Sequence, residues 1–333
     1  MPAGRRDVEH GDGAVIRECP RVRGTLRQNG GTEPQAVRPV GWWEHLTDED
    51  RALLGDVGRR VGASIEAMRA DDAVLASVLA QPEVFDAVWD RGRGLAEPGD
   101  PVPAGTVSVA AAAVSPFLVF ATAIHRGWAD VQEASHVTEW VGLRQRLPVF
   151  GGEDLRSFLA SAQHRFFLAA LLGSFTRVAS GSTWVHTARG WRRRRFSELD
   201  PVRLAGLLEV VPPFERPGIF RRLGDVALFL TGVFPDRTES HGFGPVDEGR
   251  LLRAGGVGAA QHADWQGGAV ELLERLGQRW YRAACRTAPH ATAAMAEVAD
   301  IADCFVVARR VLNLVTDRYL FPVRGPWFGE PAA

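Results

Sequence analysis

A mainly α-helical fold follows from three features of the sequence. Apolar residues recur at three- and four-residue spacing through most of the chain after residue 47. Prolines and glycines cut that pattern into helix-length pieces. One pair of short runs, and no other, reads as strands. The expected architecture is a multi-helix bundle around one central buried helix, about 153–179, with one short basic β-hairpin, about 183–196.

Residues 1–40 are rich in glycine, arginine and acidic residues and show no period, so they read as a disordered leader. Order begins near Trp42-Trp43. Thr47-Asp48-Glu49-Asp50 offers a capping hydroxyl and then carboxylates suited to the positive end of a helix. Leu53, Leu54, Val57, Val61, Ile65 and Met68 follow on one apolar face. Gln81-Pro82 opens a short helix through Phe85, Val88 and Trp89. Three prolines and two glycines between Glu97 and Gly105 cannot continue a helix. Residues 92–106 are therefore the one candidate seam in a single helical domain, 41–321.

From Pro116 a long helix is expected to run to Leu147, where Pro148 ends it. Residues 153–179 give the strongest helix signal, and Phe166 to Leu172 at their centre is apolar all round, which demands burial on most sides. Thr183 to Thr187 and Trp191 to Phe196 flank a turn containing Gly190 and read as a hairpin. Asp200-Pro201 caps the next helix, which runs to Val211. Pro217 reopens helix through Phe220, Leu223, Val226 and Leu230, and Pro235 stops it. Residues 236–268 are glycine-rich and are expected to be irregular around at most one short helix. Helices over 269–287 and about 291–320 complete the fold, and residues 322–333 read as a loose tail.

Composition narrows the chemistry. All 39 basic residues are arginine, so no lysine can hold pyridoxal phosphate as a Schiff base or serve a P-loop nucleotide site. The formal net charge of −1 argues against a general polyanion binder. Three cysteines, Cys19, Cys285 and Cys304, lack the spacing of a zinc site and fit a reducing compartment. The opening residues carry no apolar run of the secretory kind, so a cytoplasmic location is expected. Val102 to Ile124 is uncharged, but Pro103, Gly105 and Pro116 break it, and no membrane span is expected.

The sharpest local feature is Arg192-Arg193-Arg194-Arg195 between Trp191 and Phe196, with Arg189 at the turn. Alternation along a strand would set Trp191, Arg193 and Arg195 on one face and Arg192, Arg194 and Phe196 on the other. Such an array suits carboxylates on an acidic protein, or phosphates and bases of nucleic acid. It could equally pair with the chain's own 40 carboxylates.

Glu133 and His136 form a Glu-x-x-His pair which, inside a helix, would share one face. Helical di-iron proteins use that spacing twice, and the sequence holds it once, with His125 and Glu139 as further candidate ligands. His241, His262 and Asp264 lie in the glycine-rich region without a marked nucleophile, and Ser180 and Ser182 are not in a G-x-S-x-G elbow. Gly255-Gly-Val-Gly258 follows no strand and does not read as a nucleotide loop. Cys285 and Cys304, on successive helices, are expected as buried thiols that could face each other. Asp225 enters an apolar run and is expected to pair with Arg221 or Arg222 one turn back, a structural role.

Leu223-Gly-Asp-Val-Ala-Leu-Phe-Leu-Thr-Gly-Val-Phe-Pro-Asp236 resembles a Leu-Gly-Asp…Leu-Phe-Leu…Gly-Phe-Phe-Pro pattern in an uncharacterised family of helical bacterial proteins of unassigned function. The resemblance lies around residues 217–236, implies a helical fold and transfers no site residues. The first functional reading is a cytoplasmic interaction or regulatory protein without catalytic activity or cofactor, contacting an acidic protein surface through Arg189 and Trp191 to Arg195. The alternative is a helical metal-dependent oxidoreductase using Glu133 and His136. A second alternative is nucleic-acid binding through the same hairpin.

Overall fold

A computed structural model describes residues 41–93, 114–150, 152–177, 180–187, 190–258 and 267–322. The leader, most of the 92–106 segment, Arg189, His262, Asp264 and the tail from residue 323 lie outside them. The fold is mainly helical, and its buried apolar side chains form one continuous cluster from Trp43 to Leu320. Among the described residues no helix is long and apolar enough to cross a membrane.

The first helix, α1 (Asp48–Arg60), starts on a reciprocal capping box: Thr47 Oγ1 accepts from Asp50 N, and Asp50 Oδ2 accepts from Thr47 N. Asp50 is also buried, and its Oδ1 accepts from Ser115 N at 3.0 Å. Ser115 in turn caps α5 (Pro116–Glu133), so one carboxylate joins two helix starts. Between them lie α2 (Ile65–Ala70), α3 (Asp72–Leu79) and α4 (Pro82–Arg93).

The expectation of helix to Leu147 is corrected. Helix α5 ends at Glu133, where Arg156 donates to the carbonyls of Val131 (3.0 Å) and Ala134 (2.8 Å). The chain then forms a second hairpin, β1 (His136–Gly142) and β2 (Gln145–Phe150), antiparallel with Val137 opposite Val149. Its turn places Arg144 at φ 56° without a glycine. The Asp236 carboxylate holds this turn, accepting from Arg144 N (2.6 Å), Trp140 Nε1 (2.9 Å) and Arg146 Nη1 (2.9 Å). Arg146 also reaches Asp317, and Glu139 on the same hairpin accepts from Arg310 Nε at 2.7 Å.

The central helix is two pieces, α6 (Glu153–Ala160) and α7 (Ala162–Ser174). Ser161 is extended at the junction (ψ 118°) and its hydroxyl caps α7 through His164 N. Helix α7 is buried as its apolar centre requires, with Phe166, Leu168, Ala169 and Leu172 inaccessible. The basic hairpin follows as β3 (Ser180–Thr187) and β4 (Gly190–Ser197), then α8 (Pro201–Ala205), where Asp200 caps the N–H groups of Val202 and Arg203.

Helix α9 (Arg216–Val233) carries the Leu-Gly-Asp segment and packs along α12 (Ala269–Thr287). A side chain at Gly224 would collide with the Tyr281 ring, and the Tyr281 hydroxyl donates to Asp225 Oδ1 at 2.8 Å. Arg221 Nε donates to the same oxygen at 3.1 Å. Arg222 instead turns to Glu198 (3.0 Å) and Ser174 (2.8 Å). The glycine-rich region is more regular than expected: Pro235 and Pro245 open α10 (Pro235–His241) and α11 (Pro245–Ala254) at their first turns. The last predicted helix divides at Cys304 (ψ 19°) into α13 (Ala293–Asp303) and α14 (Phe305–Val315), followed by a π-helical turn, Thr316–Leu320.

Replacing Gly224 with alanine should destabilise the protein by about 1–3 kcal/mol, because α9 and α12 would have to separate around the added methyl. The same change at Gly218, on the same helix with open space around it, should be neutral or slightly stabilising. Urea unfolding of the two variants checks the contrast, and equal losses would contradict the close packing.

Candidate anion-binding face

The β3–β4 register sets Val185 opposite Arg192, Trp184 opposite Arg193, Thr183 opposite Arg194 and Ser182 opposite Arg195. Neither strand carries an aspartate or glutamate. The nearest acid in sequence, Glu198, pairs with Arg222 on α9. Strand β4 packs against α8, which begins three residues beyond it.

Helix α8 leads from the hairpin into a cavity of about 650 Å³ between α8, the 3-10 turn Gly206–Glu209, α9 and α11. Four arginines line it: Arg203 from α8, Arg216 from α9, and Arg250 and Arg253 from α11. Glu209 is the one acid among the described residues that line it, and Val202, Leu208, Phe220 and Ala254 give it apolar walls. Two of the guanidiniums are compensated locally, Arg203 by Asp200 (2.9 Å) and Arg250 by Asp247 (2.9 Å). Arg216 and Arg253 have no ion pair among the described residues, and the Arg216 Nε is buried without a hydrogen-bond acceptor.

The sequence gives no local sign of this cavity. Its arginines come from three helices spread over some fifty positions, and α11 falls in a stretch read as irregular. The spacing of Arg250 and Arg253, one helical turn apart, is the only usable signal.

The other candidate residues separate in space. Glu133 closes α5 and His136 opens β1, so they do not share a helix face; both are exposed, and the His136 ring lies against Phe150. His125 is buried on α5, with Nδ1 2.7 Å from the Ala121 carbonyl. Burial, aided by Arg165, pushes its imidazole down to about 3. A neutral ring donating from Nδ1 leaves Nε2 as an unmet acceptor. Arg165 stacks 4.2 Å above the Trp128 ring and donates to the Leu159 carbonyl, and burial lowers its pKa to about 10. Glu139 is held by Arg310. Among the described residues no group of three or more His, Cys, Asp or Glu side chains is placed to hold a metal ion. His241 is exposed at the end of α10, with Nδ1 2.9 Å from the Arg237 carbonyl. Cys285 is a free thiol raised in pKa by burial, its Sγ donating to the Met295 carbonyl.

Glu297 on α13 is a half-buried acid away from the basic face. Burial raises it to about 7, Asp72 and Asp300 add to the rise, Arg221 opposes it, and its Oε1 has no hydrogen-bond partner. No family model, curated protein or solved structure matches the chain.

The raised Glu297 pKa makes stability depend on pH. Its folded state prefers the protonated acid, so its favourable contribution is full below pH 4.5 and is lost as pH rises through about 7. Glu297→Gln should therefore be more stable than the parent at pH 8, by roughly 1–3 kcal/mol, with the gap closing towards pH 5. Urea midpoints at the two pH values measure it, and a gap that widens on acidification would contradict the assignment.

Proposed function

We propose that this is a non-catalytic interaction protein that engages an acidic protein partner through its arginine hairpin. The observation that carries the reading is a paired two-stranded ribbon bearing Arg192 to Arg195 with no acid on either strand. A strand paired along its length presents its side chains at fixed spacing, which lowers the entropy lost on binding. Guanidinium forks match carboxylates two bonds at a time, and exposed pairs of this kind direct association and orientation more than they add affinity. The basic cavity beside α8 extends the same sign of charge over a wider face. Opposite charge on a partner is the complement of such a face.

The test compares the parent with Arg193→Glu/Arg195→Glu on two probes, poly-glutamate and a single-stranded oligonucleotide, over a salt series. The parent should bind poly-glutamate at least as tightly as the oligonucleotide. The variant, with an unchanged melting curve, should bind at least tenfold more weakly. Unchanged poly-glutamate binding by the variant would sink the reading. Much tighter oligonucleotide binding, falling steeply with salt, would replace it with nucleic-acid recognition.

A further inference from the structure

We propose that the cavity between α8, α9 and α11 is a binding site for a small phosphate monoester with a compact apolar body, held by Arg216 and Arg253. This is separate from the hairpin reading and stands without it. Arg203 and Arg250 already face Asp200 and Asp247. Glu209 already has a partner. Two guanidiniums therefore have no ion pair among the described residues, which suits a dianionic head better than a single carboxylate.

Arg216 is the sharper observation. Four arginines among the described residues bury an Nε that forms no regular hydrogen bond: Arg51, Arg165, Arg216 and Arg309. Three of these guanidiniums are nonetheless partnered, that of Arg309 through the Nε itself, which faces Glu274. Arg51 pairs with Asp48 and Glu44, Arg165 donates to Leu159 and lies over Trp128, and Arg309 meets Glu274 and Asn313. Arg216 alone of the four has no such partner among the described residues, yet it lines a cavity. The Nε itself has no surface open to the cavity; the terminal N–H groups of the fork, neither buried nor paired among the described residues, are the ones a phosphate in the cavity would meet.

The walls define the rest of the ligand. Phe220 and Leu208 offer apolar surface beside the cations, which inorganic phosphate would leave uncovered. The volume of about 650 Å³ lies within the range typical of small-molecule sites, about 300–1,000 Å³.

Calorimetric titration with phenyl phosphate, inorganic phosphate and benzoate tests the assignment. Phenyl phosphate should bind at least tenfold tighter than either of the others. Its affinity should fall between pH 7.5 and 5.5 as the dianion takes up a proton near pH 6, whereas benzoate should show no such fall. Among the described residues that line the cavity there is no histidine to mimic that dependence. Arg216→Gln and Arg253→Gln should each weaken phenyl phosphate at least tenfold. Arg253 is exposed, so its variant keeps the test sound if the Arg216 variant folds poorly. Arg193→Glu/Arg195→Glu should bind phenyl phosphate as the parent does, which separates failure here from failure of the hairpin reading. Phenyl phosphate binding no tighter than inorganic phosphate, or unaffected by Arg253→Gln, overturns the proposal. Binding of a phosphotyrosine peptide tenfold tighter than phenyl phosphate overturns its small-molecule part.

Discussion

The helical packing depends on the contact between Gly224 and Tyr281. Tyr281 is fully buried and touches three neighbours at once: Phe167 on α7 edge-on at 6.2 Å, Phe305 on α14 at 5.8 Å, and the bare backbone of α9 at Gly224. A phenol so placed must bury its hydroxyl, and Asp225 accepts it one residue beyond the glycine. The same carboxylate takes Arg221 Nε, so a charge at the edge of the core is offset by one cation and one neutral donor. Eight residues further along α9 the arrangement has a counterpart. Gly232 admits Leu312 of α14, and the buried Asn313 amide donates to the carbonyls of Thr231 (3.1 Å) and Gly232 (2.6 Å) at the helix end. The middle and the C-terminal end of α9 thus combine a missing side chain with a polar group that satisfies what the close approach buries.

Asp236, just beyond α9, extends this logic outward. It accepts from three donors on the β1–β2 hairpin and so fixes a turn whose left-handed position is Arg144 rather than a glycine. The Leu-Gly-Asp to Pro-Asp segment is accordingly a set of docking points: Gly224 and Asp225 for α12, Gly232 for α14, and Asp236 for the hairpin. These are architectural uses, and none of them places a reactive group in the cavity.

How much of this could be read from the chain follows from how local each signal is. The capped starts at Thr47 and Asp200 depend on neighbours within three residues. The burial of α7 follows from its own composition, and the β3–β4 hairpin from its own alternation and turn. The β1–β2 hairpin was not legible because its stabilising partner lies 92 residues from the turn, and Val137 to Val141 suits a helix pattern as well as a strand. Prolines misled for a related reason: at Pro235 the residue that stops one helix begins the next, and Pro245 opens a helix inside the glycine-rich stretch. The basic face divides in the same way. Four consecutive arginines are visible in any reading, but Arg203, Arg216, Arg250 and Arg253 become neighbours only after three helices have packed.

A chain whose cations are all arginine also changes what an arginine signifies. Arg156 serves as a helix cap, Arg146 bridges two aspartates, Arg309 bridges Glu274 and Asn313, and Arg310 clamps Glu139. Each exploits the planar fork, which meets two acceptors at fixed angles where an ammonium would offer a single point of charge. Abundance of arginine therefore says little about binding, since the fold consumes many of them internally. What carries information is a guanidinium that the fold positions and leaves unmatched. Arg216 is held by a helix and half-buried at the wall of a cavity, so part of its desolvation is already incurred before any ligand arrives. A preorganised, partly desolvated donor gains more from an anion than a freely solvated one does, because less water must be displaced and less motion lost when the bond forms.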